Sequence, residues 1–182
     1  MKEDLIEKIE IPEGFECEVE GNFVKLKFGD KENKRRFNFY GVELRKEGNS
    51  IIIEAKNATK KELQVVYTTR AHINNMVEGL RKPFEYKLEI AFVHFPMTVE
   101  YKQAENKILI KNFLGEKKNR EADILPGVEI ELGKKEIILT SCDIELAGQT
   151  AANIEKATQI KNKDRRKFQD GIFLTKKPRR VI

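Results

Sequence analysis

Phe28-Gly29-Asp30-Lys31 returns later in the chain as Leu114-Gly115-Glu116-Lys117, Gly41-Val42-Glu43-Leu44 as Gly127-Val128-Glu129-Ile130, and Ile51-Ile52 as Ile137-Ile138. All are separated by the same 86 residues, as are Asn33 and Asn119 and, upstream, Val24-Lys25 and Ile110-Lys111. A register held without a gap across nearly 30 residues marks an internal duplication, the feature that most changes a fold assignment. The expected class is α+β: two duplicated units, each an antiparallel sheet with one packed helix. The units are expected at residues 1–82 and 83–160, followed by a basic C-terminal extension at 161–182.

Period-two patterning supplies the strands of the first unit. Phe15, Cys17 and Val19 alternate with Glu16, Glu18 and Glu20, Gly21-Asn22 turns the chain, and Val24, Leu26 and Phe28 alternate with Lys25 and Lys27. The three glutamates should line one outward face. A further strand is expected to begin at Phe37 and Phe39, and Gly48-Asn49 divides Val42 and Leu44 from the β-branched run Ile51–Ile53. Thr59 with Glu62 reads as a capping box opening a helix, because each side chain satisfies a backbone N–H of the other. Leu63, Val66, Tyr67, Ile73, Val77 and Leu80 follow at helical spacing, and the helix should stop near Gly79, before Lys82-Pro83.

The second unit should open with a long strand from Phe84 to about Val93, interrupted at Pro96 before Val99 and Tyr101. Glu105-Asn106-Lys107 turns into Ile108–Ile110, and strands are expected at Ala122–Leu125, Val128–Leu132 and Glu136–Thr140. Asp143 is the expected N-cap of a helix from Ile144 to Thr158, with Ala147, Ala151 and Ile154 inward. Gly148 and Ala152 keep that helix slim, which lets it sit close to a sheet, the favoured reading, or close to a nucleic-acid backbone.

The chain has 182 residues, 40% hydrophobic and 36% charged, with a formal net charge of +5. Disordered, collagenous and membrane-spanning classes are disfavoured, and no apolar run approaches the roughly 20 residues of a span. The acidic start, with eight acids against Lys2 and Lys8 in the first 20 residues, fits neither a secretory signal nor a transit peptide, so a cytosolic location is expected. Charge is uneven: residues 1–20 carry −6, residues 21–160 carry +4 and residues 161–182 carry +7. That basic end keeps Phe168, Ile172 and Phe173 between its charges. It reads as a docking surface for phosphate rather than a purely flexible tail.

Catalytic constellations fail on spacing. Gly127 to Lys135 places five residues between its glycines and lacks the Ser or Thr that a phosphate-binding loop needs after lysine. His72 and His94 have no partners at ligand spacing, and Cys17 and Cys142 form no C-x-x-C, so no metal, cofactor or disulfide framework is expected. His72 reads as a half-buried helix residue. Capping accounts for Asp143 better than an acid–base pairing with Glu145, and Ser141-Cys142 lacks the surroundings that activate a nucleophile. No enzyme and no small-molecule substrate are expected.

The stretch Lys161-Asn162-Lys163-Asp164-Arg165-Arg166-Lys167-Phe168-Gln169-Asp170-Gly171-Ile172-Phe173, preceded by Gly148-Gln149-Thr150-Ala151-Ala152-Asn153-Ile154, resembles the large-subunit ribosomal protein L-six family in its archaeal and eukaryotic branch. The spacing Lys163-x-x-Arg166-x-Phe168-x-Asp170-Gly171 carries the likeness, and Lys156 stands where that family pattern has Gln. The resemblance covers essentially the whole chain and implies two duplicated α/β units. It also implies a structural protein of the cytoplasmic large subunit that binds large-subunit rRNA near the sarcin-ricin loop and stalk base. Neighbouring ribosomal proteins and translational GTPases would lie close by. In that family the second unit and its extension make most of the RNA contact. An RNA-binding assembly or translation factor is the alternative.

The residues expected to meet phosphate are Lys161, Lys163, Arg165, Arg166 and Lys167, with Lys176, Lys177, Arg179 and Arg180 further along. Lys117, Lys118 and Arg120 in one loop and Lys134 and Lys135 in a turn are secondary contacts. Phe168 and Phe173 have two readings: stacking on a base, or anchoring the extension on the second unit's core.

Overall fold

The computed structural model describes residues 3–39, 41–164 and 166–181. The chain divides between Pro83 and Phe84 into two units. The first runs β1 (Glu3–Glu10), β2 (Phe15–Glu20), β3 (Phe23–Phe28), β4 (Lys31–Arg36), β5 (Glu43–Glu47), β6 (Ser50–Ala58) and α1 (Lys60–Arg81). Its strands form two antiparallel three-stranded sheets, ordered β2-β3-β4 and β1-β6-β5. Alternation does what the sequence predicts: Val24, Leu26, Ile51 and Ile53 are fully buried, while Glu16, Glu18 and Glu20 face outward.

The expected capping box is present, with both Thr59–Glu62 interactions made. The buried stripe of α1, however, is Val66, Thr69, Ile73, Met76 and Leu80, and Leu63 and Tyr67 are exposed. Hydropathy alone places an aromatic such as Tyr67 inside, but the helix rotates to bury the small Thr69 and flexible Met76. The strand expected at Phe37 instead ends at Arg36. Phe37 then folds inward, 5% exposed, as its N–H donates to the Asn22 carbonyl at 2.8 Å. β1 has no counterpart among the expected strands, because its acids obscure Leu5 and Ile9, which pair with Ala55 and Ile51.

The second unit contains β7 (Phe84–Ala91), β8 (Thr98–Lys102), β9 (Lys107–Lys111), β10 (Arg120–Asp123), β11 (Glu129–Leu132), β12 (Glu136–Ser141), α2 (Ile144–Ala157), β13 (Gly171–Lys177) and β14 (Arg180–Val181). Its sheets are ordered β8-β9-β10 and β11-β12-β7-β13-β14. The duplication is therefore visible in topology: β8-β9-β10 answers β2-β3-β4, and β7-β12-β11 answers β1-β6-β5. The 86-residue offset is kept in the second hairpin, where Ile51 and Ile53 face Lys46 and Leu44 while Ile137 and Leu139 face Leu132 and Ile130. Gly29 and Gly115, and likewise Gly41 and Gly127, share positive φ, which glycine adopts without a Cβ penalty. The continuous register fails at one place. The tight turn after β3 is answered by an open loop from Lys111 to Arg120, and the pairing slips by one residue: Val24 faces Arg35, but Ile110 faces Arg120.

α2 lies close on its sheet, as its small residues predict. Ala147, Ala151 and Ile154 are buried, and a Cβ on Gly148 would sit 3.0 Å from the Tyr86 hydroxyl. The C-terminal extension is not a separate appendage. β13 pairs antiparallel with β7, and Ile172 is fully buried in the second unit's core with Leu88, Ile137 and Leu139.

Candidate nucleic-acid interface

The extension enters the second unit as a clasped loop. Asp170, 2% exposed, accepts from the Val93 N–H at 2.6 Å and the His94 N–H at 3.4 Å, and its Oδ2 lies 3.1 Å from His94 Nδ1. The His94 ring packs on Phe168 at 5.0 Å between centroids, and the Lys163 ammonium stands 4.8 Å from the Phe168 centroid. Downstream, the Ile172 N–H donates to Thr158 Oγ1 at 2.9 Å, tying the loop to the end of α2. Gly171 sits where a Cβ would come within 2.9 Å of the Phe173 ring. The spacing Lys163-x-x-Arg166-x-Phe168-x-Asp170-Gly171 thus spells out one clasp: a carboxylate latch, a ring, a capping ammonium and a glycine that leaves room.

Of the two readings of the phenylalanines, anchoring on the core is not what the structure shows. Phe168 is half-buried against His94 rather than in the core, and Phe173 is exposed, whereas its neighbour Ile172 is the anchor.

Around the clasp, Lys161, Lys163, Arg166 and Lys167 are exposed. Arg166 holds Asp164 through Nε–Oδ1 and Nη2–Oδ2 contacts of 3.2 and 3.0 Å, which keeps the Asp164 carboxyl below its ordinary range. Such an exposed pair is worth about 0–1 kcal/mol, so a phosphate can displace the carboxylate at small cost. Arg165 lies outside the described residues. Lys117 and Lys118 project from the loop after β9. Lys134 and Lys135 project from the β11–β12 turn, where the Lys135 carbonyl accepts from Ile90, next to the entry of the extension. A cleft of about 570 Å³ between the β9–β10 loop and the end of α2 is lined by Lys118, Lys156 and Lys161 together with Glu116 and Glu121. Lys156 is a cation that sequence reasoning left out of the site; the helix phase that turns Ala151 and Ile154 inward was the available signal.

Arg120 does something different. Its Nη1 donates to the Ala157 and Gln159 carbonyls, both at 2.9 Å, its Nε and Nη2 bind Glu116 at 2.8 and 2.6 Å, and its carbon lies 4.3 Å over the Phe113 ring. The hydrogen bond from Arg120 pulls the Glu116 carboxyl below the ordinary glutamate range. This guanidinium ties the β9–β10 loop to the end of α2 and has little left to offer a phosphate.

Lys176, Lys177, Arg179 and Arg180 are not part of this cluster. They sit at the opposite end of β13, where Lys176 Nζ lies 3.3 Å from Glu85 Oε1, with the length of the strand, roughly 20 Å, between the two groups. The loop between β7 and β8 adds exposed Phe92, Val93 and Phe95 beside the clasp, which the expected long strand to Val93 concealed.

No group of three or more His, Cys, Asp or Glu side chains suited to a metal occurs among the described residues. His72 is half-buried on α1, as expected. No helix among the described residues is long and apolar enough to cross a membrane.

A duplicated α+β chain whose most specific motif builds a clasped cationic loop defines a class of protein that presents positive charge from a two-unit scaffold. The chain belongs to the ribosomal protein L6 family, whose model matches residues 11–82 and 93–171, one match for each unit. It is 43% identical over 176 residues to the large ribosomal subunit protein uL6 of Methanococcus vannielii, covering 97% of this chain and 96% of that protein. The protein of the same name from Methanothrix thermoacetophila is 40% identical over 177 residues, covering 97% and 99%. That of Aeropyrum pernix is 42% identical over 171 residues, covering 93% of each.

Proposed function

We propose that this chain is a structural constituent of the cytoplasmic large ribosomal subunit and binds large-subunit rRNA through the clasped loop of its second unit. Lys161, Lys163, Arg166 and Lys167, with Lys118 and Lys156 in the adjoining cleft, neutralise phosphates and release their counterions. Lys117, Lys134 and Lys135 contribute at the margin, Arg120 positions the loop, and Phe92, Val93 and Phe95 offer apolar surface to riboses and bases. The observation that carries this reading is the clasp itself. Five backbone or ring contacts hold the loop, so its cations are presented with little left to order on binding. The resemblance directs the contact to rRNA near the sarcin-ricin loop and stalk base, beside neighbouring ribosomal proteins and where translational GTPases act.

Sedimentation of tagged protein with large subunits washed in high salt tests the role. Retention at subunit stoichiometry is expected, and release into the wash supports the alternative of an assembly or translation factor.

A further inference from the structure

The first unit carries a cationic cleft that the clasp does not account for. It lies between the end of β4 and α1, encloses about 580 Å³, and is lined by Arg35, Arg36, Lys61, Phe37, Phe39 and His72, with amide and hydroxyl groups from Gln64 and Thr68. Among the described residues no carboxylate lines it. Arg35 is held in place: its guanidinium stands 5.5 Å from the centroid of buried Phe37, and its Nη2 lies 3.4 Å from His72 Nε2. A guanidinium has only donors, so that imidazole nitrogen is the acceptor. Arg36 and Lys61 are exposed, and Phe39 is half-exposed at the rim.

The duplication sharpens the case. By strand pairing Arg35, Arg36 and Phe37 are matched by Arg120, Glu121 and Ala122, so the second unit keeps one arginine, which it spends on the end of α2, and lacks the second cation and the ring. The common scaffold therefore does not require Arg36 or the Phe37 ring.

We propose that this cleft is a second RNA site, taking a phosphate on Arg35, Arg36 and Lys61 and a base or ribose against Phe39. The chemistry favours RNA over an acidic protein. The core of a protein interface is depleted of charge and built on large apolar anchors, whereas this cleft concentrates cations around one ring edge with amide and hydroxyl donors alongside. The proposal relies on the ribosomal reading only for which RNA is bound.

Hydroxyl-radical footprinting of the full-length protein on large-subunit rRNA, with binding measured at several salt concentrations, tests it. The triple variant R35Q/R36Q/K61Q should lose one set of protected nucleotides and lower the salt slope by up to roughly 2, at about 0.7 per single-strand phosphate contact. It should keep the protections that the loop variant K161Q/K163Q/R166Q/K167Q loses. R36Q/K61Q spares the packing of Arg35 and should lose the same protections in part, which keeps the test valid if the triple variant folds poorly. Unchanged protections and slope in R36Q/K61Q overturn the second site. So does loss of a neighbouring protein from reconstituted subunits with every rRNA protection retained, which would make the cleft a protein contact. Failure of the loop variant to lose protections overturns the main reading instead.

Discussion

Replacing Asp170 by alanine should destabilise the second unit by about 3 kcal/mol. The side chain is 2% exposed and accepts at 2.6 Å from the Val93 N–H, a short contact of the charge-assisted kind. A hydrogen bond to a charged group contributes about 1.5–3 kcal/mol; Val93 is itself exposed, so its N–H turns to water in the variant and adds no further penalty. The contact with the part-exposed His94 ring at 3.1 Å adds about 0.5–1 kcal/mol, and the 3.4 Å contact to the His94 N–H adds little. Asp170→Asn keeps an oxygen for Val93 and should cost less, about 1–2 kcal/mol. Urea denaturation monitored by circular dichroism measures both. Because every cation remains, D170A should weaken rRNA binding while leaving its salt slope nearly unchanged, the signature of a loop that is no longer held. A loss below about 1 kcal/mol for D170A, or a salt slope that falls with affinity, would refute the latch.

Gly148→Ala should cost about 1–3 kcal/mol, since its Cβ would come within 3.0 Å of the Tyr86 hydroxyl, which donates to the Ile144 carbonyl at 3.3 Å; thermal unfolding reports it. The Glu116 carboxyl is held below its ordinary range by Arg120, so its contribution to stability is present above the unfolded-state value and disappears as pH falls through the folded one. Acid titration of unfolding should therefore show less loss of stability below pH about 4.5 in Glu116→Gln than in the native chain. Replacing Glu16, Glu18 and Glu20 by Gln should leave rRNA affinity unchanged or slightly raised in filter binding. The only ion pair that change removes among the described residues is Glu18–Lys25 at 3.6 Å, an exposed contact worth about 0–1 kcal/mol.

The parts of the fold with a strong local code were legible in the sequence. Gly29, Gly41, Gly115 and Gly127 marked the duplicated turns, and Thr59 and Asp143 marked the helix starts, because a left-handed turn or an orphaned N–H admits few residue types. β1 and β13 were not legible as strands. β1 is dense in charge, β13 runs Ile172-Phe173-Leu174 into two lysines without alternation, and both are specified by nonlocal pairing, β1 with β6 and β13 with β7. The same failure blurred the site: with β13 read as part of a continuous extension, the cations at 161–167 and at 176–180 merged into one patch, whereas the strand separates them. Arg120 was read by its charge alone, and only tertiary contact reveals the helix-end carbonyls it serves.

The most direct test compares two sets of four cations at the two ends of β13. K161Q/K163Q/R166Q/K167Q and K176Q/K177Q/R179Q/R180Q change net charge equally, so a difference between them reports position alone. Titrated against large-subunit rRNA across a range of salt, the first variant should bind more weakly and lose up to about 0.9 log units of salt slope per duplex contact removed. The second should keep nearly the native slope. Equal losses from both, or a larger loss from the second, would contradict the clasped loop as the rRNA interface.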